Sequence, residues 1–126
     1  MPPTIIECVP NFSEGRRAGV IEAIADAIRH TPDTKILNLS SDPDHNRTVI
    51  TFVGDEKTVE AAAYAAIAKA AELIDLNQHK GEHPRLGATD VVPFVPLAGA
   101  SLADCVAIAK RLGQRVGRDL NIPVYV

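Results

Sequence analysis

Hydrophobic and polar positions change period several times along the chain, and each change marks an element. "TIIECVPN" (4–11) is rich in β-formers and runs into Pro10, which predicts a short first strand. In "FSEGRRAGVIEAIADAIRHTP", Val20, Ile21, Ile24, Ala27 and Ile28 recur at helical spacing until Pro32 stops them, with Ser13 as the candidate N-cap. "KILNLSSD" and "NRTVITFVG" read as two strands joined through "DPDH", a turn-forming cluster, and Gly54 closes the second. From Asp55 to about Asp75 the pattern is helical, with Val59, Ala62, Ala66, Ala70 and Leu73 on one stripe. "TDVVPFVPLAG" predicts a strand whose two prolines place it at an edge or interrupt it. Ser101 and Asp104 then form a capping-box-like start to a third helix, with Leu102, Cys105, Val106, Ala109, Leu112 and Val116 inward. "NIPVYV" has the composition of a last strand.

The predicted order is β-α-β-β-α-β followed by α-β. This is an α+β fold with a ferredoxin-like core, an added C-terminal helix and strand, and the helices on one sheet face. Residues 1–126 form a single domain without repeat, low-complexity tract or linker. One sheet face is then left open. Alternation puts Glu7 and Asn11 on one side of the first strand and Ile6 and Cys8 on the other. Asn38 and Ser40 oppose Leu37 and Leu39 in the second, and Arg47 and Thr51 share a face with Val49 in the third. This polar set suits either a solvated face or one that bears a site.

Composition narrows the function classes. With 46% hydrophobic residues, 23% charged residues and a net charge of −3, the chain is an ordinary globule with no basic surface for nucleic acid or anionic membranes. Three Phe and two Tyr are too few for the stacking platform of an RNA-binding sheet. Cys8 and Cys105 each lie in apolar runs and read as buried, reduced thiols. The N-terminus lacks a basic region followed by an apolar one, and no apolar run approaches the ~20 residues of a spanning helix. The expectation is a cytoplasmic protein that engages no membrane.

The candidate chemistry is concentrated in "QHKGEHPRLGATD" (78–90). His79 and His83 are four apart, as in a helical metal pair. Gly81 and Pro84 work against a helix there, however, and Glu82 is misplaced for the zinc motif, so no metal is expected. His83 suits proton transfer at neutral pH, with Lys80, Glu82 or Arg85 beside it to tune its pKa and Pro84 restricting its backbone. In "SSDPDHNRT" (40–48), Asp42 and Asp44 make turn chemistry, whereas Asn46 and Arg47 enter a strand, where an arginine fork recognises carboxylates. Asn11 is either a turn residue or a substrate amide. Binding candidates are Asn11, Asn46, Arg47, Lys80, Gly81 and Arg85, followed by Glu7, Asp42, His45, His79 and Glu82. The residues alone give a small-anion site and no reaction.

Three stretches, "ECVPNFSEG" (7–15), "DPDHNRTVITFVG" (42–54) and "HKGEHPRLGATDVVPFVP" (79–96), resemble the N-terminal subdomain of glutamate formiminotransferase, the transferase half of formiminotransferase-cyclodeaminase. The resemblance extends over essentially the whole chain. It implies transfer of a formimino group from N-formimino-L-glutamate to tetrahydrofolate, in histidine breakdown and one-carbon metabolism, with the histidine of GEHPR, here His83, as acid and base. It also implies a second, similar subdomain, folate bound between the two, and a dimer. The sequence stops after "IPVYV", before any second subdomain. The expectations are therefore a self-associating enzyme, a partner of a separate second-half chain, or a fragment. The alternative is a non-catalytic half-domain that binds folate or glutamate, or completes a partner.

Overall fold

The first strand does not end at Pro10. In the computed structural model, which describes residues 4–74, 88–122 and Val124, β1 (Ile5–Cys8) and β2 (Asn11–Phe12) run antiparallel to β4 (Arg47–Gly54) in one unbroken register. Ile6 faces Gly54, Cys8 faces Phe52, Asn11 faces Val49 and Phe12 faces Thr48. Between them the Ile50 N–H donates to the Pro10 carbonyl at 3.2 Å. Proline has no N–H to return, so the ladder loses one rung while the strand carries on.

The predicted strand over 89–99 is interrupted in the same way. It is divided into β5 (Thr89–Val91) and β6 (Phe94–Ala98), which lie along the other side of β1 and β2. Glu7 faces Val95, Cys8 faces Phe94 and Asn11 faces Val91. At the break the Val9 N–H donates to the Pro93 carbonyl at 3.1 Å. β3 (Lys35–Asp42) pairs with the free side of β4, with an irregularity between Ile36 and Asn38 that leaves Leu37 51% exposed. The described strands make one six-stranded antiparallel sheet in the order β5-β2-β4-β1-β6, with β3 on β4. Among the described residues Asn121, Ile122 and Val124 are not in a strand, and the rest of the expected last strand lies outside them.

Three helices cover one face of this sheet. α1 (Ala18–Arg29) buries Ile21, Ile24, Ala25 and Ile28. α2 (Glu56–Leu73) buries Val59, Ala62, Ala63, Ala66, Ile67 and Ala70, and its short side chains let it lie close over the central strands. Its start is fixed by a capping box. Asp55 accepts from the Lys57 and Thr58 N–H groups at 2.9 and 2.8 Å, and the Thr58 hydroxyl accepts from Asp55 N–H at 2.9 Å. α3 (Leu102–Leu120) opens with the expected Ser101–Asp104 box and ends at Asn121, which takes a left-handed conformation. Its inward stripe is Cys105, Ile108, Leu112 and Val116. Leu102 and Val106, expected inward, are 70% and 44% exposed. A step of one residue turns a helix by 100°, which carries Val106 away from the stripe that Cys105 begins.

Ser13 does not cap α1. The N-cap is Arg17, whose side chain makes no cap bond, and the Glu14 carboxylate accepts from the Arg16 and Arg17 N–H groups at 3.1 and 3.0 Å instead. The helices bury Ile6, Cys8, Phe12, Ile50 and Phe52, the alternate residues of the central strands. Each large side chain removed from water in this layer contributes about 1.5–3 kcal/mol.

Candidate functional site

The opposite sheet face is uncovered among the described residues. Its rows follow from the pairing: Val95–Glu7–Val53–Lys35 at one end, and Val91–Asn11–Val49–Ser40 further along. Arg47 and Asp42 face each other on β4 and β3 beyond the second row. Val53 and Arg47 are six positions apart on β4, which sets Glu7 and Arg47 about 20 Å apart along the face.

At the Arg47 end two distant segments are locked together. The Asn46 side-chain oxygen accepts from the Gly15 N–H at 2.8 Å. The Thr48 hydroxyl donates to the Glu14 carbonyl at 2.5 Å and contacts the Ser41 hydroxyl at 2.9 Å. The Arg16 guanidinium donates to the Pro43 carbonyl at 2.8 Å. Gly15 is required by this closeness, because an added Cβ would stand 2.4 Å from the Asp42 oxygen and 2.5 Å from the Arg47 nitrogen. The turn is built by Asp42. Its carboxylate accepts from the Asp44 and His45 N–H groups at 3.0 and 3.3 Å and meets the His45 ring at 2.5 Å. That contact with His45, with the backbone donors, holds the Asp42 carboxyl below its ordinary range. Asn46 closes the turn with φ +52°.

Glu14 is buried, with only 2% of its surface exposed. Burial opposes its ionisation, but the Arg17 and Arg16 N–H groups and the Arg17 guanidinium, 2.6 Å away, outweigh burial and keep the carboxyl below its usual value. Sequence reasoning passed over both Glu14 and Thr48. The available signal was an acidic residue immediately ahead of a helix whose first turn carries no acidic residue.

The sequence-predicted residues divide into two groups. Glu7, Asn11, Asp42, His45, Asn46 and Arg47 are described, and all belong to the open face or the turn at its end. His79, Lys80, Gly81, Glu82, His83 and Arg85 lie outside the described residues. The two residues that flank 75–87 are Ile74 and Ala88, both buried in the core, and the Ala88 carbonyl accepts from the Ser13 N–H at 2.8 Å. The return point of that segment is therefore beside the Glu14–Gly15 clamp.

Asn11 has a structural duty. Val9 and Pro93 form a hydrogen-bonding pair of the antiparallel ladder, and Pro93 cannot donate back to Val9. The Asn11 side-chain nitrogen does so at 3.1 Å. Arg47 is exposed and makes no ion pair among the described residues. Cys8 and Cys105 are free thiols and buried, and burial pushes both upward in pKa. A cavity of about 590 Å³ runs along the C-terminal half of α3, between Lys110, Gln114, Arg118 and Val124, and contains none of the candidate residues. Among the described residues there is no cluster of metal-ligating side chains, and no helix is long and apolar enough to cross a membrane.

Residues 5–126 match the family described as the formiminotransferase domain, N-terminal subdomain. The chain belongs to this family. It is 53% identical over 123 residues to a glutamate formimidoyltransferase of Thermoplasma acidophilum, covering 98% of this chain and 41% of that protein. It is 51% identical over 122 residues to the formimidoyltransferase-cyclodeaminase of Rattus norvegicus, covering 97% and 23%. A glutamate formimidoyltransferase of Streptococcus pyogenes serotype M1 is 44% identical over 122 residues, covering 97% and 41%. The chain thus spans well under half the length of these relatives. For a formiminotransferase subdomain, the clamp between Glu14–Gly15 and Asn46–Thr48 joins two of the three motif stretches, and Ala88 belongs to the third.

Proposed function

We propose that this chain forms one half of a formimino-transfer site, in which His83 is the acid and base and the open sheet face receives the substrates. The reaction is transfer from N-formimino-L-glutamate to tetrahydrofolate. The observation that carries the reading is the convergence of the three motif stretches at one corner of the open face, in a chain of the formiminotransferase family. His83 is five residues ahead of Ala88, so covalent reach alone keeps it within about 18 Å of that corner.

The chemistry follows from the groups. N5 of tetrahydrofolate attacks the amidine carbon, and a tetrahedral centre forms as a C–N bond is made. His83 accepts the proton lost from N5 and returns one to the glutamate nitrogen as the old C–N bond breaks. Such a group contributes ~10²–10⁴-fold, and alignment of the two substrates supplies much of the remainder. Arg47, Lys80 and Arg85 bind substrate carboxylates; Gly81 gives close backbone approach. Asn46 and Asn11 offer amide contacts, Asn11 through its oxygen, since its nitrogen is committed to Val9. His45, Asp42, His79 and Glu82 are secondary candidates for contacts with the substrates.

The remaining expectations join the same proposal. The ferredoxin-like reading treats β1 with β2 and β5 with β6 as single strands broken at their prolines; the register kept across each proline, from Cys8 to Asn11 on both sides, supports it. The protein acts in the cytoplasm, and the open face is completed by a second subdomain, carried by the same protein, by a second copy or by a separate second-half chain.

The test is an assay of the 126-residue chain with formiminoglutamate and tetrahydrofolate, with His83→Ala alongside. Activity that disappears in His83→Ala supports a self-associating enzyme. Full activity in His83→Ala removes the histidine from the mechanism. A second reading rests on the chain spanning 41% of the Thermoplasma relative: a half-domain that turns over only with a partner. Activity restored by adding the missing portion as a separate chain identifies it.

A further inference from the structure

Glu7 is out of place for a structural residue. It lies on a central strand, on the open face, and its direct neighbours on both sides are Val95 and Val53. Glutamate is depleted from strands, and a carboxylate between two valines gains nothing from either. Among the described residues it makes no ion pair and no side-chain hydrogen bond; Lys35, the nearest cation in its row, stands beyond Val53. Its neighbours along the strand on that face, Ile5 and Val9, are apolar as well. A local choice that contradicts its surroundings, without a partner to explain it, marks a group kept for a ligand.

A carboxylate on an apolar floor recognises a particular chemistry. It only accepts hydrogen bonds, and its two oxygens match a planar pair of N–H donors on one carbon, as in the pairing with an arginine fork. We propose that Glu7 binds the planar N–C–N donor edge of a substrate and thereby sets specificity at this end of the face. This rests on the transfer reading and deepens it. Two parts of the proposed substrates carry such an edge. One is the formimino group, a protonated amidine. The other is the pterin ring, through its 2-amino group and adjacent ring N–H. The valines on either side would hold the flat faces of either group. A formyl donor presents an oxygen where the amidine presents N–H, so the carboxylate would repel it.

The test separates the two sources and does not depend on turnover. The labelled chain is titrated by NMR with formamidinium chloride and, separately, with a soluble pterin, in wild type and Glu7→Gln. The expected result is movement of the Glu7 side-chain signals with one probe, and about 10- to 100-fold weaker binding of that probe to Glu7→Gln. Response to formamidinium assigns Glu7 to the donor; response to pterin assigns it to the acceptor. Glu7 signals that respond to neither probe overturn the proposal. In the transfer assay, with the missing portion of the family's transferase supplied where needed, Glu7→Gln should raise KM for one substrate about 10-fold or more and leave the other unchanged. Loss of activity in His83→Ala with both KM values intact in Glu7→Gln keeps the transfer reading and removes this one. A Glu7 response in a protein inactive under every condition does the reverse.

Discussion

The Gly15 N–H and the Asn46 side-chain oxygen, 31 positions apart, are joined by a hydrogen bond of 2.8 Å. That bond ties the segment entering α1 to the β3–β4 turn, and it places Arg47 at the end of the open face.

Gly15→Ala should be among the most damaging single-atom additions to the described structure. The new carbon would meet only backbone atoms, 2.4 to 2.7 Å away, and none can swing aside. The expected loss is about 1–3 kcal/mol or more, read as a lower urea midpoint with an unchanged slope.

Asn46 combines two functions that substitution can separate. Asn46→Gly keeps the positive φ and loses the bond to Gly15, while Asn46→Ala loses the bond and strains the backbone. Both should destabilise, and alanine should cost roughly 1 kcal/mol more than glycine. Equal midpoints for the two variants would mean that the left-handed backbone carries no strain.

Acid should weaken the clamp through Glu14. Its folded pKa is depressed, so its contribution is fully present above the unfolded value of ~4.3 and is lost as pH falls through the folded value. Glu14→Gln should cost about 1–3 kcal/mol at pH 7. Denaturation profiles of wild type and Glu14→Gln should converge as pH drops below ~4. A gap that stays constant down to pH 3 would exclude the carboxylate as its source.

Both thiols should be silent in the native state. Cys8 and Cys105 are buried and raised in pKa, which suppresses the thiolate that reacts. A colorimetric thiol reagent should count none at neutral pH and both after denaturation.

Periodicity made the helices legible, since Ile21, Ile24 and Ile28, or Ala62, Ala66 and Ala70, bury where a 3.6-residue repeat puts them. β3 and the Ser101–Asp104 box were also readable, because turn and cap chemistry is local. What sequence concealed was long-range. Pro10 reads as a strand end, yet pairing with β4 on one side and β5 and β6 on the other carries the strand through it. Ser13 reads as a cap, but its N–H is held by Ala88 and Glu14 takes the role. For the site, alternation placed Glu7, Asn11 and Arg47 on one face. The Glu14–Thr48 contact spans 34 positions and has no local signature.

The repair at Val9 has an evolutionary consequence. Asn11 supplies the donor that Pro93 lacks, so the two positions, 82 apart in the chain, answer to one vacancy. With proline at 93, position 11 is restricted to side chains that reach back to Val9. An ordinary residue at 93 would lift that restriction and release the amide for other contacts. Replacing Asn11 should therefore cost less in a protein whose residue 93 can donate to Val9, so the effects of the two substitutions should not add.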